Sequence, residues 1–516
     1  GTGFDYIDKV EQKNIRLIRH FTMNSFSKNI LDQMKLDKAV SLAQRNSKAG
    51  LLEEAKSIYQ DILGKFPKNK RAIKGIKDLS IKPLEKVSTT QEPSQEQLKT
   101  VIEFYNQGEL QMCLVATKQL LVLFPNSVVL YNIHGTVNAR LEQFDVAIDS
   151  YQKAIKIKPG YADAHNNLGN VLRDKGDLEG AIESFQQAIK IKPDYAVYYN
   201  NLGLAKREKG DVKGAIDSYQ RVISIKPDYA DAYNNMGNAL RDKGDLKGAI
   251  DSFQQAIKMQ SNYAEAHNNM GNALRDMGDL RGAINSYKQT LKIDPDKASA
   301  SHMLNALTGK TSDHPPREYV TKLFDEHARE FDYILVNKLE YNIPKILRKI
   351  MTKQNFDLFD SVLDLGCGTG LMGVELRQYA KHIEGIDLSK FMIEQAKKKN
   401  VYNKISQFDL IEYLSKENLD FDLFVATDVF IYVGELSKVF RLIKARNKRN
   451  GKLIFSTEHT EKKGFFLEKS GRYSHSKEYI MGLCKKFDYK LLNFKETRLR
   501  KEKSHFLSGG LYILEF

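Results

Sequence analysis

The sequence predicts a multidomain protein in which an all-α solenoid of helical repeats is followed by an α/β domain built on a seven-stranded sheet. Three observations predict this. Prolines recur every 34 residues, at Pro125, Pro159, Pro193, Pro227 and Pro295, with Ser261 on the one missing beat. Beyond Gly309 the period stops, and short apolar runs alternate with stretches of helical periodicity, the texture of a doubly wound sheet. The first such run passes straight into Asp364-Leu365-Gly366-Cys367-Gly368-Thr369-Gly370, a turn whose missing Cβ atoms let the backbone approach a ligand.

At 516 residues the chain exceeds a single core. Its 41% apolar and 28% charged residues are ordinary for a globular protein. Apolar runs stay short of a membrane span, so no membrane contact is expected. Residues 1–33 read as an N-terminal extension without the apolar stretch of a secretory signal. It contains no methionine before Met23, which is the expected start. The three cysteines, Cys113, Cys367 and Cys484, are odd in number and lack metal-ligand spacing, so a reducing cytoplasm and no metal are expected. A net charge of +15 attracts polyanions. Its lysines are scattered, however, and clusters such as Lys397–Lys399 and Arg441–Arg449 are short, so a solvated surface rather than a nucleic-acid site is expected.

Within one repeat, His165 to Gly169 and Leu172 form one predicted helix. Ala181, Ile182, Phe185, Ala188 and Ile189 form its antiparallel partner, with apolar positions three and four apart in both. Gly169 permits close helix contact, Gly176 ends the first helix and Pro193 stops the second. This pattern resembles the tetratricopeptide repeat (TPR) over residues 34–67 and 92–295, with a capping helix to about 308. The expected order is an isolated repeat at 34–79, a linker at 80–95 rich in Pro, Ser and Thr, and a solenoid over 92–308. The first repeat is expected to stand apart from the main stack.

A solenoid of this type implies a concave groove. Asn167, Asn201, Asn235 and Asn269 occupy one position of successive repeats. TPR superhelices similar to those of O-GlcNAc transferases present an asparagine ladder there to a bound peptide backbone, since an amide both donates and accepts. The alternative is capping within each repeat. Arg173, Arg207, Arg241 and Arg275 form a second column, each followed by an acid, which fits either an acidic ligand or salt bridges between repeats. The expected partner is an extended, acidic protein or peptide.

Residues 309–345 are read as linker and lid helices and 346–516 as the α/β domain. Strands are predicted at Ser361–Leu365, His382–Ile386, Ile405–Phe408, Leu423–Ala426, Lys452–Ser456, Tyr489–Phe494 and Leu511–Phe516. Asp387 ends the second, placed to accept both ribose hydroxyls of a nucleoside. Asp409 follows the third, where a carboxylate accepts an adenine amino group. A nicotinamide dehydrogenase shares the first two features. Its fingerprint is GxGxxG, with a helix N-terminus facing a pyrophosphate, whereas Gly366, Gly368 and Gly370 alternate behind Asp364. S-adenosylmethionine has no phosphate, and its ammonium suits Asp364. The expected cofactor set is Asp364, Leu365, Gly366, Cys367, Gly368, Gly370, Asp387, Leu388, Met392, Asp409 and Leu410.

Further residues extend the likeness: Tyr319-Val320, Leu323-Phe324-Asp325, Phe331-Asp332, Leu339-Glu340-Tyr341, Pro344, Asp428 to Tyr432 and Ser470 to Ser476. From Pro316 to Phe516 the chain resembles TPR-repeat-containing class I S-adenosylmethionine-dependent methyltransferases. That resemblance implies a Rossmann-like fold, S-adenosylmethionine as cofactor and a lid over Tyr319 to Tyr341. Methyl transfer needs a nucleophile held against the methyl carbon with water excluded, and a base where the acceptor is protonated. The candidates are Asp428, Glu458, His459, Tyr473 and His475, the last as base or donor, with Arg472 and Ser470 on the substrate. The plainer alternatives are a helix cap for Asp428, loop residues for Glu458 and His459, and core for Tyr473. Two functions from different classes follow. One is an enzyme whose solenoid recruits a protein. The other is a scaffold whose catalytic domain is regulatory or acts on a small molecule.

Overall fold

The computed structural model describes residues 30–32, 34–48, 52–81, 92–325, 328, 330–416, 419–502 and 505–516. The N-terminal extension and the linker expected at 80–95 therefore lie largely outside the described residues. The chain divides into two compact units, Gly1–Lys243 and Gly244–Phe516.

The first unit is helical. The antiparallel pairs are Leu36–Lys48 with Leu52–Lys65, Gln95–Asn106 with Leu110–Leu123, and Val128–Arg140 with Phe144–Ile157. Ala162–Lys175 with Leu178–Ile191 and Ala196–Glu208 with Val212–Ile225 follow, and Ala230–Lys243 closes the unit. Three of these repeats seat a glycine of the first helix on an aromatic ring of the second: Gly135 on Tyr151, Gly169 on Phe185 and Gly203 on Tyr219. A Cβ on Gly169 would lie 2.7 Å from the Phe185 ring, closer than packed atoms tolerate. Asp177 and Asp211 cap the second helices by accepting from the Gly180 and Gly214 amides. The first repeat is docked on the stack rather than set apart from it. Arg45 pairs with Glu109 at 2.8 Å and lies 4.3 Å from the centre of the Phe104 ring.

The second unit opens with Leu246–Met259, Ala264–Met277, Leu280–Ile293 and Ala298–Thr308. Helix Arg317–Asp325, a π-helical turn at Tyr333–Lys338 and helix Ile343–Lys353 lead into a nine-stranded sheet. Its strands are β1 (Phe359–Leu365), β2 (Ala380–Asp387), β3 (Lys404–Gln407), β4 (Phe421–Ala426), β5 (Asn447–His459), β6 (Phe465–Leu467), β7 (Tyr473–His475), β8 (Lys490–Glu502) and β9 (His505–Glu515). The parallel order is β3-β2-β1-β4-β5, and antiparallel β9 and then β8 extend it from β5. The seven expected strands are all present. The two extra ones, β6 and β7, form a short hairpin at the end of β5.

Both faces of the parallel strands are buried, as that topology requires. Leu363, Leu365, Phe424, Leu453 and Phe455 pack with Phe440, Ile443 and Ile480 on one face. Val362, Leu423, Val425 and Ile454 pack with Leu347, Met351 and Met372 on the other. The β6–β7 hairpin lies on the last repeat, where Leu467 and Tyr473 share a core with Tyr287, Ala300, Met303 and Ala306. A ring nitrogen of His302 reaches the Gly471 carbonyl at 2.9 Å. Among the described residues no helix is long and apolar enough to cross a membrane, and no group of side chains is placed to hold a metal.

Candidate functional site

The second unit holds a cavity of about 390 Å³ at the carboxyl ends of β1 to β4, the edge at which open α/β sheets bind ligands and a size typical of cofactor sites. Gly366, Cys367, Gly368 and Thr369 line it. Gly366 has φ +64, and a Cβ there would lie 2.6 Å from Val429, so the turn requires glycine on both counts. Asp387 also lines the cavity. Its Oδ2 accepts from the Gly368 amide at 2.9 Å and its Oδ1 from Ser389 N at 2.8 Å, so the loop and the carboxylate position each other. Burial pushes its pKa up to about 6. Asp409 lines the wall with Leu410 and caps helix Leu410–Leu414 through Oδ1. Leu388 is a wall residue as well.

Four of the expected cofactor residues are not on the wall. Asp364 is buried and accepts from the Tyr402 hydroxyl at 2.7 Å, and burial raises its pKa to about 7. Leu365 points into the sheet core, because side chains alternate along β1. Gly370 starts helix Leu371–Leu376 and faces the Tyr402 ring. Met392 is a buried residue of helix Lys390–Lys398.

The lid region supplies Val320, Phe324, Phe331, Leu335 and Tyr341 to the same cavity. It is tied down at three points. Asp325 accepts from Ser389 Oγ at 2.5 Å, Asp332 accepts from Thr369 Oγ1, and Lys399 reaches Asp332 at 2.5 Å. On its other side Tyr319 packs at a tilt against His302, with ring centres 4.5 Å apart, and Lys322 pairs with Glu265 at 3.4 Å.

The candidates expected after β4 and β5 separate. Asp428 is on the cavity wall, beside Thr427 and Tyr432. Its backbone is left-handed, with φ +59, and its amide donates to Ser456 Oγ at 2.8 Å, so it caps no helix. The remaining members do not line the cavity. His475 and Tyr473 belong to β7 and are fully buried. A ring nitrogen of His475 meets the Gly434 carbonyl at 2.9 Å between the rings of Phe465 and Tyr479, and burial lowers its pKa to about 4. The Tyr473 hydroxyl bonds to Ser312. Ser470 Oγ accepts from the Arg472 amide, and Arg472 pairs with Glu458 at 2.5 Å and Glu502 at 2.7 Å. A segment dense in polar residues reads as an active-site loop. Here its polar groups are engaged largely by Ser312, Gly434, Glu458 and Glu502 around the hairpin. One residue outside the expected set matters. Arg500 binds both Asp428 and Glu458, and Glu458 links it to Arg472.

In the first unit each asparagine of the column bonds to an asparagine of the preceding repeat that stands one position earlier in the repeat. Asn167 donates to Asn132 at 3.0 Å, Asn201 to Asn166 at 2.8 Å and Asn235 to Asn200 at 3.1 Å. In the second unit Asn269 is buried. Arg173 pairs with Asp174 and Glu208, Arg207 with Asp242, and Arg275 with Asp276, so salt bridging accounts for these arginines.

Residues 359–501 match the methyltransferase domain family. Residues 138–172, 169–206, 203–240 and 237–278 match the TPR repeat family, and 264–297 a further tetratricopeptide repeat. A ubiquinone biosynthesis O-methyltransferase of Coxiella burnetii is 28% identical over 157 residues, covering 30% of this chain and 64% of that protein. An uncharacterized methyltransferase of Schizosaccharomyces pombe is 26% identical over 179 residues, covering 30% and 63%. The chain thus spans less than two thirds of the length of these relatives. Among solved structures, MamA is 29% identical with a TM-score of 0.30, covering 32% of this chain and 96% of that one. YrrB, described as a TPR protein with an unusual peptide-binding site, is 20% identical with a TM-score of 0.31, covering 36% and 96%.

Proposed function

We propose that this chain, in which TPR repeats precede a methyltransferase domain, is an S-adenosylmethionine-dependent methyltransferase whose repeats recruit a protein. The observation that carries the cofactor reading is one cavity bringing together the Gly366–Thr369 turn, Asp387 at the end of β2 and Asp409 after β3. Its volume, about 390 Å³, suits a nucleoside with an amino acid side arm. Asp387 would accept from ribose hydroxyls, Asp409 from the adenine amino group, and the backbone at Gly366 and Gly368 would lie against the cofactor where a side chain would intrude. When bound, the cofactor supplies an electrophilic methyl group on a sulfonium. The lid residues Phe324, Phe331 and Tyr341 exclude water from that centre.

The repeats are proposed to hold an extended polypeptide that would replace the bonds from the asparagine column to Asn132, Asn166 and Asn200. The cytoplasm is the proposed location, in line with three free cysteines, all buried. A crystal structure with S-adenosylhomocysteine tests the cofactor reading. The nucleoside is expected between Gly366 and Asp409 with its ribose on Asp387; density elsewhere, or none in the cavity, contradicts it.

A further inference from the structure

One part of the cavity wall is not needed by the nucleoside: Phe324, Phe331, Tyr341 and Tyr432, with Thr427 and Asp428 among them. Its side chains are aromatic except for Thr427 and Asp428. Phe324 stands edge-on to Phe331 and to Tyr432, with centres 6.1 and 5.0 Å apart.

The carboxylate is fixed with unusual care. Asp428 holds a left-handed backbone that only a few per cent of non-glycine residues adopt, and such conformations cluster at functional sites. Its Oδ2 is bound by Arg500, whose side chain is only 7% exposed. A register shift in β8 between Arg498 and Lys501 buries Leu499 and Arg500 in succession. A bulge of this kind re-aims a side chain, here across the sheet to Asp428. Arg500 also reaches Glu458 at 3.2 Å, and Glu458 accepts from Arg472 at 2.5 Å. The guanidinium is thus clamped from both sides. After all this, Asp428 Oδ1 is buried with no hydrogen-bond partner. A buried acceptor without a donor is costly, and this one belongs to a residue of the cavity wall.

We propose that Asp428 Oδ1 receives an N–H of the methyl acceptor, that the acceptor is an amine, and that Arg500 is the positioning residue that aims Asp428. This rests on the methyl-transfer reading. An N–H and an O–H both satisfy Oδ1, and the chemistry separates them. A hydroxyl must lose its proton to attack, and the carboxylate facing it is already held through Oδ2 by Arg500. A neutral amine attacks through its lone pair. As the N–C bond forms, the C–S bond breaks, its electron pair stays on sulfur, and the positive charge passes to nitrogen. Asp428 and the aromatic rings favour that charge, and the product ammonium returns a proton to water.

The test uses the full chain with methyl-labelled S-adenosylmethionine and an extract of the source cell, and reads the chemistry of the labelled product. We expect label in a base-stable product that binds a cation exchanger. Asp428→Asn should lower incorporation by about tenfold or more, and Arg500→Gln should do the same with Arg500→Lys partly restoring it. S-adenosylhomocysteine affinity should stay within about twofold in all three, showing that the variants fold and that Arg500 acts through Asp428. A neutral or base-labile labelled product overturns the amine assignment. Undiminished turnover in Asp428→Asn overturns the role of Oδ1. Absence of label despite bound S-adenosylhomocysteine overturns methyl transfer itself, and absence of binding overturns the cofactor reading.

Discussion

At the scale of single residues, what decides a role is where a side chain's hydrogen bonds go. His475 carries the chemistry of a general base, yet one ring nitrogen bonds to Gly434 O and the ring is stacked in the core. His475→Gln is therefore expected to lower stability by about 1–3 kcal/mol while leaving S-adenosylhomocysteine affinity of the folded protein unchanged. The pH dependence has a definite sign. Burial holds the folded-state pKa near 4, against an ordinary value of 6.5. Between those values the unfolded chain binds the proton and the folded one does not, so stability falls as pH drops through that window, by up to about 3 kcal/mol. Thermal unfolding across pH 4 to 7 checks this; a slope unchanged in His475→Gln contradicts it. The glycine turn and Asp387 were legible in the sequence because their chemistry is local to a strand end. Arg500 was not, since Arg498-Leu499-Arg500-Lys501 reads as solvated charge until the β8 bulge buries it.

At the scale of elements, the lid is held to the cofactor turn by few bonds. Asp332 accepts from Thr369 Oγ1 and Lys399 Nζ, and charge-assisted bonds of this kind contribute about 1–3 kcal/mol each. Asp332→Ala is expected to speed S-adenosylhomocysteine dissociation by about tenfold with a small change in melting temperature. Rapid-mixing kinetics with an unchanged dissociation rate would refute the lid assignment. The seven long strands were legible from their apolar runs. β6 and β7 were not. Each has three residues, too few for alternation to show, and their burial is set by the last repeat.

At the scale of the molecule, the boundary between compact units falls between Lys243 and Gly244, inside the repeats. The last repeats share a core with the β6–β7 hairpin through Met303, Tyr287 and Tyr473. A fragment beginning at Gly244 is expected to fold and bind S-adenosylhomocysteine. One beginning at Lys310 loses that core and is expected to be less stable by about 3 kcal/mol or more, as calorimetric unfolding would read; equal stability contradicts the shared core. The 34-residue period made the repeats legible along the chain, but it carried no sign that the last of them are packed into the second unit. Calorimetric titration of wild type and Asp387→Ala with S-adenosylhomocysteine decides whether the cavity beside Asp387 holds S-adenosylmethionine. Wild type is expected to bind, more weakly as pH falls below about 6, where Asp387 takes up a proton, and the variant to bind at least about tenfold more weakly. Equal affinity of the two proteins, or no binding by either, would contradict it.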